Sequence, residues 1–142
     1  MRLLTKKTIL CLGLLFSFLL AGCSKEVEEE AVVPIVNEFF SAIKQKDYDK
    51  AMTFYSDDFF NMRSHDDWRA YLQEVQGKLG DLQQVKLKRK QTSTVLSGRR
   101  FIFIFSNQYE KARTKETVIF FQQVTSDDIK IQVHKIESKA LR

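Results

Sequence analysis

The chain has 142 residues, 44% of them hydrophobic and 29% charged, with one proline, five glycines and two cysteines. These proportions lie in the globular range and exclude collagen-like, disulfide-dense and wholly disordered chains. The formal net charge is +5, and a chain of this length is expected to hold one domain rather than a multidomain enzyme.

Residues 1–7 carry Arg2, Lys6 and Lys7 without an acid, and residues 8–20 form an apolar run. A bilayer-crossing helix needs about 20 apolar residues, so this run reads as the hydrophobic part of an export signal. Leu20-Ala21-Gly22-Cys23 follows it. That string resembles the lipobox of bacterial lipoproteins, in which small residues admit a signal peptidase and the cysteine thiol accepts diacylglycerol. The signal, residues 1–22, is then removed and the new amine takes a further acyl chain such as palmitate. The resemblance implies a membrane anchor on Cys23, since several acyl chains hold a protein that one would bind only marginally. Cys11 would leave with the signal, so the mature domain is expected to hold no thiol, no disulfide and no cysteine-ligated metal. Ser24 resembles the sorting residue of lipoproteins sent to the outer membrane, which implies a cell-envelope address, on the periplasmic side of that membrane in a Gram-negative cell. Residues 23–30 would comprise the lipidated cysteine and a short acidic tether containing Glu26, Glu28, Glu29 and Glu30.

Residues 31–138 read as helices first and strands second, the order of an α+β domain. Ile35, Val36, Phe39, Phe40 and Ile43 recur at helical spacing, with Pro34 tolerated in the first turn. Asp47 is placed to cap a second, short helix presenting Ala51, Phe54 and Tyr55 inward. Ser64 and Asp67 form a variant capping box ahead of Trp68, Tyr71, Leu72, Val75 and Leu79, and Gly80 suits a left-handed stop. Three helices are therefore expected.

From Leu82 the apolar period changes to two. Val85 and Leu87 alternate with Lys86, Lys88 and Lys90, then come residues 101–105, 117–124 and 129–134. Four antiparallel strands fit, with turns at residues 97–98, 107–114 and 126–128 and a tail at 139–142. Two of the strands are apolar on both sides: Phe101, Phe103 and Phe105 oppose Ile102 and Ile104, and Ile119 and Phe121 oppose Val118 and Phe120. Either the sheet curls around its own core or a second molecule covers its other face.

Three helices followed by a curved antiparallel sheet of about four strands resembles the cone-shaped fold of nuclear-transport-factor-like and ketosteroid-isomerase-like domains. Within that group the chain is most similar to an exported bacterial family of unknown function. The shared features are Phe39-Phe40 in the first helix, Lys46-Asp47-Tyr48 through Ala51 and Tyr55 in the second, Trp68 and Leu79-Gly80 bounding the third, and Glu116-Thr117-Val118 opening a late strand. It departs from that family at Ile131-Gln132-Val133-His134, where a tryptophan and a Gly-Tyr pair are usual. The family has no assigned chemistry, so the resemblance implies a fold and no catalytic residue.

Enzymes of the ketosteroid-isomerase kind place a carboxylate and a phenol inside the cone. Here Asp47, Asp49, Asp57, Asp58, Asp66 and Asp67 fall at helix starts or in loops, and none takes an inward strand position. Tyr55, Trp68 and Tyr71 are the candidates for the cone interior, with Tyr109 as a further phenol. His65-Asp66-Asp67 is better explained by helix capping than by a metal. His134 reads as a surface or rim residue of an alternating strand, without a serine or cysteine partner. No cofactor or metal motif stands out, and catalysis is not expected.

Charge says more than any motif. Residues 24–81 hold 13 acids against 7 bases, whereas residues 82–142 hold 5 acids against 13 bases. Lys86, Lys88 and Lys90 are expected on one strand face, with Arg99 and Arg100 near them, as a patch for an anionic envelope polymer or an acidic protein. Nucleic acid does not fit an exported address. The reading is a lipid-anchored, non-catalytic binding protein. A small isomerase or hydrolase using the cone interior, and a homodimer formed through the sheet face, are the alternatives.

Overall fold

A computed structural model describes residues 30–142, and the lipobox string, Cys23 and residues 24–29 lie outside the described residues. The elements are helices α1 (Val32–Lys44), α2 (Tyr48–Met52), α3 (Asp57–Phe60) and α4 (His65–Leu79), then strands β1 (Leu82–Gln84), β2 (Leu87–Val95), β3 (Gly98–Tyr109), β4 (Arg113–Gln123) and β5 (Ile129–Glu137), and a closing 3₁₀ turn, Lys139–Leu141. The domain is α+β, with helices against a curved, wholly antiparallel five-stranded sheet. Among the described residues no helix is long and apolar enough to cross a membrane.

The helix ends follow their local chemistry. The Asp47 carboxylate accepts the Lys50 backbone N–H (3.0 Å) at the start of α2. At α4 the Ser64 hydroxyl accepts the Asp67 N–H (3.1 Å) and donates to the Asp67 carboxylate (2.7 Å), so aspartate completes the capping box. Gly80 ends α4 at φ 80°, and a side chain there would collide with Glu110. The single-turn α3, capped by Ser56, adds a fourth helix to the three expected, because four residues are too few to show a helical period. The buried Gln76 of α4 ties the helices together, donating to the Ile43 carbonyl (3.0 Å) and accepting from the Tyr48 hydroxyl.

The sheet differs from the four expected strands in the number of its strands and in their lengths. β1 and β2 both pair with β3, β1 against its Tyr109 end and β2 from Phe105 back to Gly98. They are collinear pieces of one sheet position, interrupted at residues 85–86 while the Lys86 carbonyl still accepts the Ser106 N–H (2.8 Å). A bulge between Leu87 and Arg89, and another between Val133 and Ile131 opposite Ile119 and Phe120, bend the sheet. β3 and β4 also run further than expected, into most of the segment assigned to a turn at residues 107–114, because Asn107, Tyr109, Thr114 and Glu116 continue the buried alternation.

The core lies between the helices and one sheet face. Val36, Phe39, Phe40 and Ile43 of α1 and Trp68, Leu72, Val75 and Leu79 of α4 pack with Phe101, Phe103, Phe105, Val118, Phe120 and Ile131. Edge-to-face pairs such as Phe40–Phe105 (4.8 Å between centroids) and Phe103–Phe120 (5.8 Å) fill it. Beyond β5, the Ser56 N–H donates to the Ile131 carbonyl (3.0 Å) and the Ile131 N–H to the Phe54 carbonyl (2.8 Å), so residues 54–56 extend the sheet in parallel with that strand.

Candidate functional site

Three of the five strands and the α2–α3 connection bring polar groups together inside the hydrophobic layer. On β4 the alternation Thr114, Glu116, Val118, Phe120 points inward, which buries the Glu116 side chain to 2% exposure. Its Oε1 accepts the Thr114 hydroxyl (2.8 Å) and the Tyr109 hydroxyl (3.1 Å), and its Oε2 lies 3.1 Å from His134 Nε2. His134, opposite Val118 on β5, meets the Tyr55 hydroxyl at Nδ1 (2.7 Å). One proton arrangement satisfies every contact: Nε2–H donates to the carboxylate, and Nδ1 accepts the phenol proton. The result is a chain Tyr55–His134–Glu116, joined at its far end by Tyr109 and Thr114.

Its electrostatics follow from burial and from these donors. Burial opposes ionisation of Glu116, but the hydrogen bonds from His134 and Thr114, with the Asn107 amide, outweigh it and hold the carboxyl below the usual range. Asn107 is wholly buried beside it, its amide short of full hydrogen-bond geometry. Burial pushes the Tyr55 hydroxyl well above the usual phenol range and the nearby Trp68 indole offsets part of this. Tyr109 is likewise raised, by burial first and then by the Glu116 charge. Both phenols are therefore donors at neutral pH.

Two expectations are corrected here. His134 is not a rim residue, because the α2–α3 connection and α4 roof over that end of β5 and stack Trp68 (5.6 Å) and Phe39 (5.5 Å) edge-on to its ring. A carboxylate does occupy an inward strand position, Glu116, which the sequence marks only as part of Glu116-Thr117-Val118. The signal for it was the period-two burial of its neighbours. Tyr55 and Trp68 are buried, while Tyr71 is half-buried, stacked on Trp68 (5.0 Å) with the Arg63 guanidinium across both rings. His65 stacks on Phe60 (3.5 Å) at the cap of α4. Phenylalanines fill the interior, and a cleft of about 390 Å³ between residues 58–63 and β5 reaches His134 from its margin.

The register redistributes the basic residues. Cross-strand partners share a face, so Lys90, opposite Phe103, and Arg99, opposite Thr94, belong to the side that carries the helices, whereas Arg100, opposite Phe121, belongs to the other. Lys88 is the extra residue of the bulge and Lys86 lies in the break between β1 and β2. The expected single face of Lys86, Lys88 and Lys90 is thus broken by the bulge, which shifts the alternation by one. The helix-free face instead gathers Arg89, Arg100, Lys115 and Lys135 on either side of an apolar row, Ile102–Ile119–Val133. Glu137 pairs there with Lys135 (3.0 Å) and Lys115 (3.9 Å). Val133 is 42% exposed, and Ile102, Ile104 and Ile119 are half-buried.

Compared with known proteins, the chain is similar to a solved structure of Bd1075 from Bdellovibrio bacteriovorus, with a TM-score of 0.58 and 16% identity over 82% of this chain. The match spans 44% of that protein's length, so it bears on the fold of a part of it. No family model matches the chain, and no curated protein matches it significantly.

Proposed function

We propose that the chain is a cell-envelope lipoprotein, anchored through acylated Cys23, whose α+β domain binds an acidic protein or polymer of the envelope on the helix-free face of its sheet and carries out no chemistry. The observation that carries this reading is the convergence of Arg89, Arg100, Lys115 and Lys135 around the half-exposed row Ile102–Ile119–Val133. An apolar row rimmed by one sign of charge suits a partner that needs both attraction and burial. The two bulges and the packing of α1 across the sheet support a cone of the nuclear-transport-factor kind, and Ser24 supports delivery to the outer membrane where the cell has one. The inner network supports binding over catalysis, because both ring nitrogens of His134 and both oxygens of Glu116 are already engaged by protein groups.

The test is crosslinking of the full chain in intact cells, with neighbours identified by mass spectrometry. Acidic neighbours are expected, and their recovery should fall with salt and in the Arg89→Glu/Arg100→Glu/Lys135→Glu chain. Recovery unchanged by the triple reversal would remove this face from consideration. Metabolic acyl labelling lost in Cys23→Ala tests the anchor. One observation favours an enzyme instead, the cleft that reaches His134; turnover of any envelope ester or ketone that disappears in His134→Gln would establish that reading.

A further inference from the structure

The helix-free face is ordered in rows, because cross-strand partners lie side by side on it. Its apolar row, Ile102–Ile119–Val133, takes one residue from each of β3, β4 and β5. The next row toward the Gly98 end holds Arg100 beside Phe121. The next row the other way sets Ile104 and Thr117 between Arg89 of β2 and Lys135 of β5. Cations therefore stand on both sides of the apolar residues. Among the described residues neither Arg89 nor Arg100 enters an ion pair, so both guanidinium groups are open to a carboxylate from outside.

We infer that the partner meets this face with an amphipathic α-helix, laid across the strands along Ile102–Ile119–Val133 and bearing acidic residues on both flanks of its apolar stripe. The inference rests on the reading of this face as the binding surface. Spacing selects a helix. Neighbouring strands lie about 4.8 Å apart, so the three apolar residues span roughly 10 Å. Helical positions i and i+7 are also roughly 10 Å apart, with i+3 or i+4 between them on the same stripe. In the other direction Arg100 and Ile104 are four residues apart on β3, so the two basic rows lie roughly 13 Å apart. A helix with its side chains is about 10–12 Å wide and fills that gap. An extended peptide is only about 5 Å wide in the same direction and leaves one basic row without a partner. An anionic polymer brings charge and nothing to bury on the isoleucines. A second copy does not fit either, because α1 and α4 commit their apolar stripes to the core.

The experiment measures binding of the full chain to three labelled probes by fluorescence anisotropy. They are a helical peptide with leucine at i, i+3 and i+7 and glutamate on both flanks, a scrambled peptide of the same composition, and polyglutamate. Val133 is 42% exposed, so Val133→Ser removes part of the apolar row without opening the core. The expected result is several-fold tighter binding of the patterned peptide than of the other two, weakened both by Val133→Ser and by Arg89→Glu/Arg100→Glu. Equal affinity for the patterned and scrambled peptides, lost in Arg89→Glu/Arg100→Glu, would overturn the helix and leave the face as a site for charge alone. Affinity for none of the probes would also overturn the helix, and crosslinking in cells unchanged by the triple reversal would overturn the face with it.

Discussion

Glu116 is the residue on which the interior depends most. Its carboxylate accepts from three side chains on three strands, so Glu116→Ala leaves three buried donors unpaired and should cost about 3–5 kcal/mol in urea unfolding. Glu116→Gln keeps the shape and loses the charge, at about 1–3 kcal/mol. The pH dependence has a definite sign. The folded carboxyl is held below its ordinary value of 4.5, so its contribution is complete above that value and is lost as pH falls through the folded one. Unfolding free energy should therefore decline on acidification in the native chain and decline less in Glu116→Gln; parallel curves would contradict the assignment. The sequence pattern hid this residue because an acid inside a strand reads as a solvent-facing break. Its burial is visible only in the company of Thr114, Val118 and Phe120. His134 was hidden for the same reason, since the lid that covers it comes from residues 54–60, 74 or more positions earlier in the chain.

At the level of elements, legibility tracked local chemistry. α1, α2 and α4 could be read because a period of 3.6 and caps at Asp47 and Ser64 are properties of neighbouring residues. The interruption at residues 85–86 could not, because it is set by the register of β1 and β2 against β3, a non-local property. The same split explains why the expected single face of Lys86, Lys88 and Lys90 is broken: a single bulge residue, Lys88, reverses the alternation for those around it. Two glycines of the α4 region give a matched test. Gly77 is exposed and helical, with open space where a side chain would go, whereas Gly80 has positive φ and faces Glu110. Gly77→Ala should stabilise by about 0.5–1 kcal/mol and Gly80→Ala destabilise by about 1–3 kcal/mol, read as opposite shifts in Tm.

For the molecule as a whole, the sheet is two-sided in sequence and one-sided in packing. The expected choice between a self-curling sheet and a covered second face resolves partly: bulges do bend the sheet, yet Ile102, Ile119 and Val133 still share a face that the core does not use. Neighbours on one strand should therefore differ sharply. Phe120→Ala, wholly buried, should cost about 3–5 kcal/mol, and Ile119→Ala about 1 kcal/mol; similar losses in denaturant unfolding would mean that the second face is packed as tightly as the first. The lopsided charge, acidic in the helical half and basic in the sheet half, was legible from counting alone.

The short parallel bridge between Tyr55 and Ile131 also bears on how copies of this chain can meet. One margin of the sheet is occupied there by the chain's own residues 54–56, while β2, which pairs with β3, lies toward the other margin. Growth by strand addition needs two receptive margins. With the margin beyond β5 filled from within the chain, strand addition cannot run on in both directions, so concentrated copies are protected from growth into fibres.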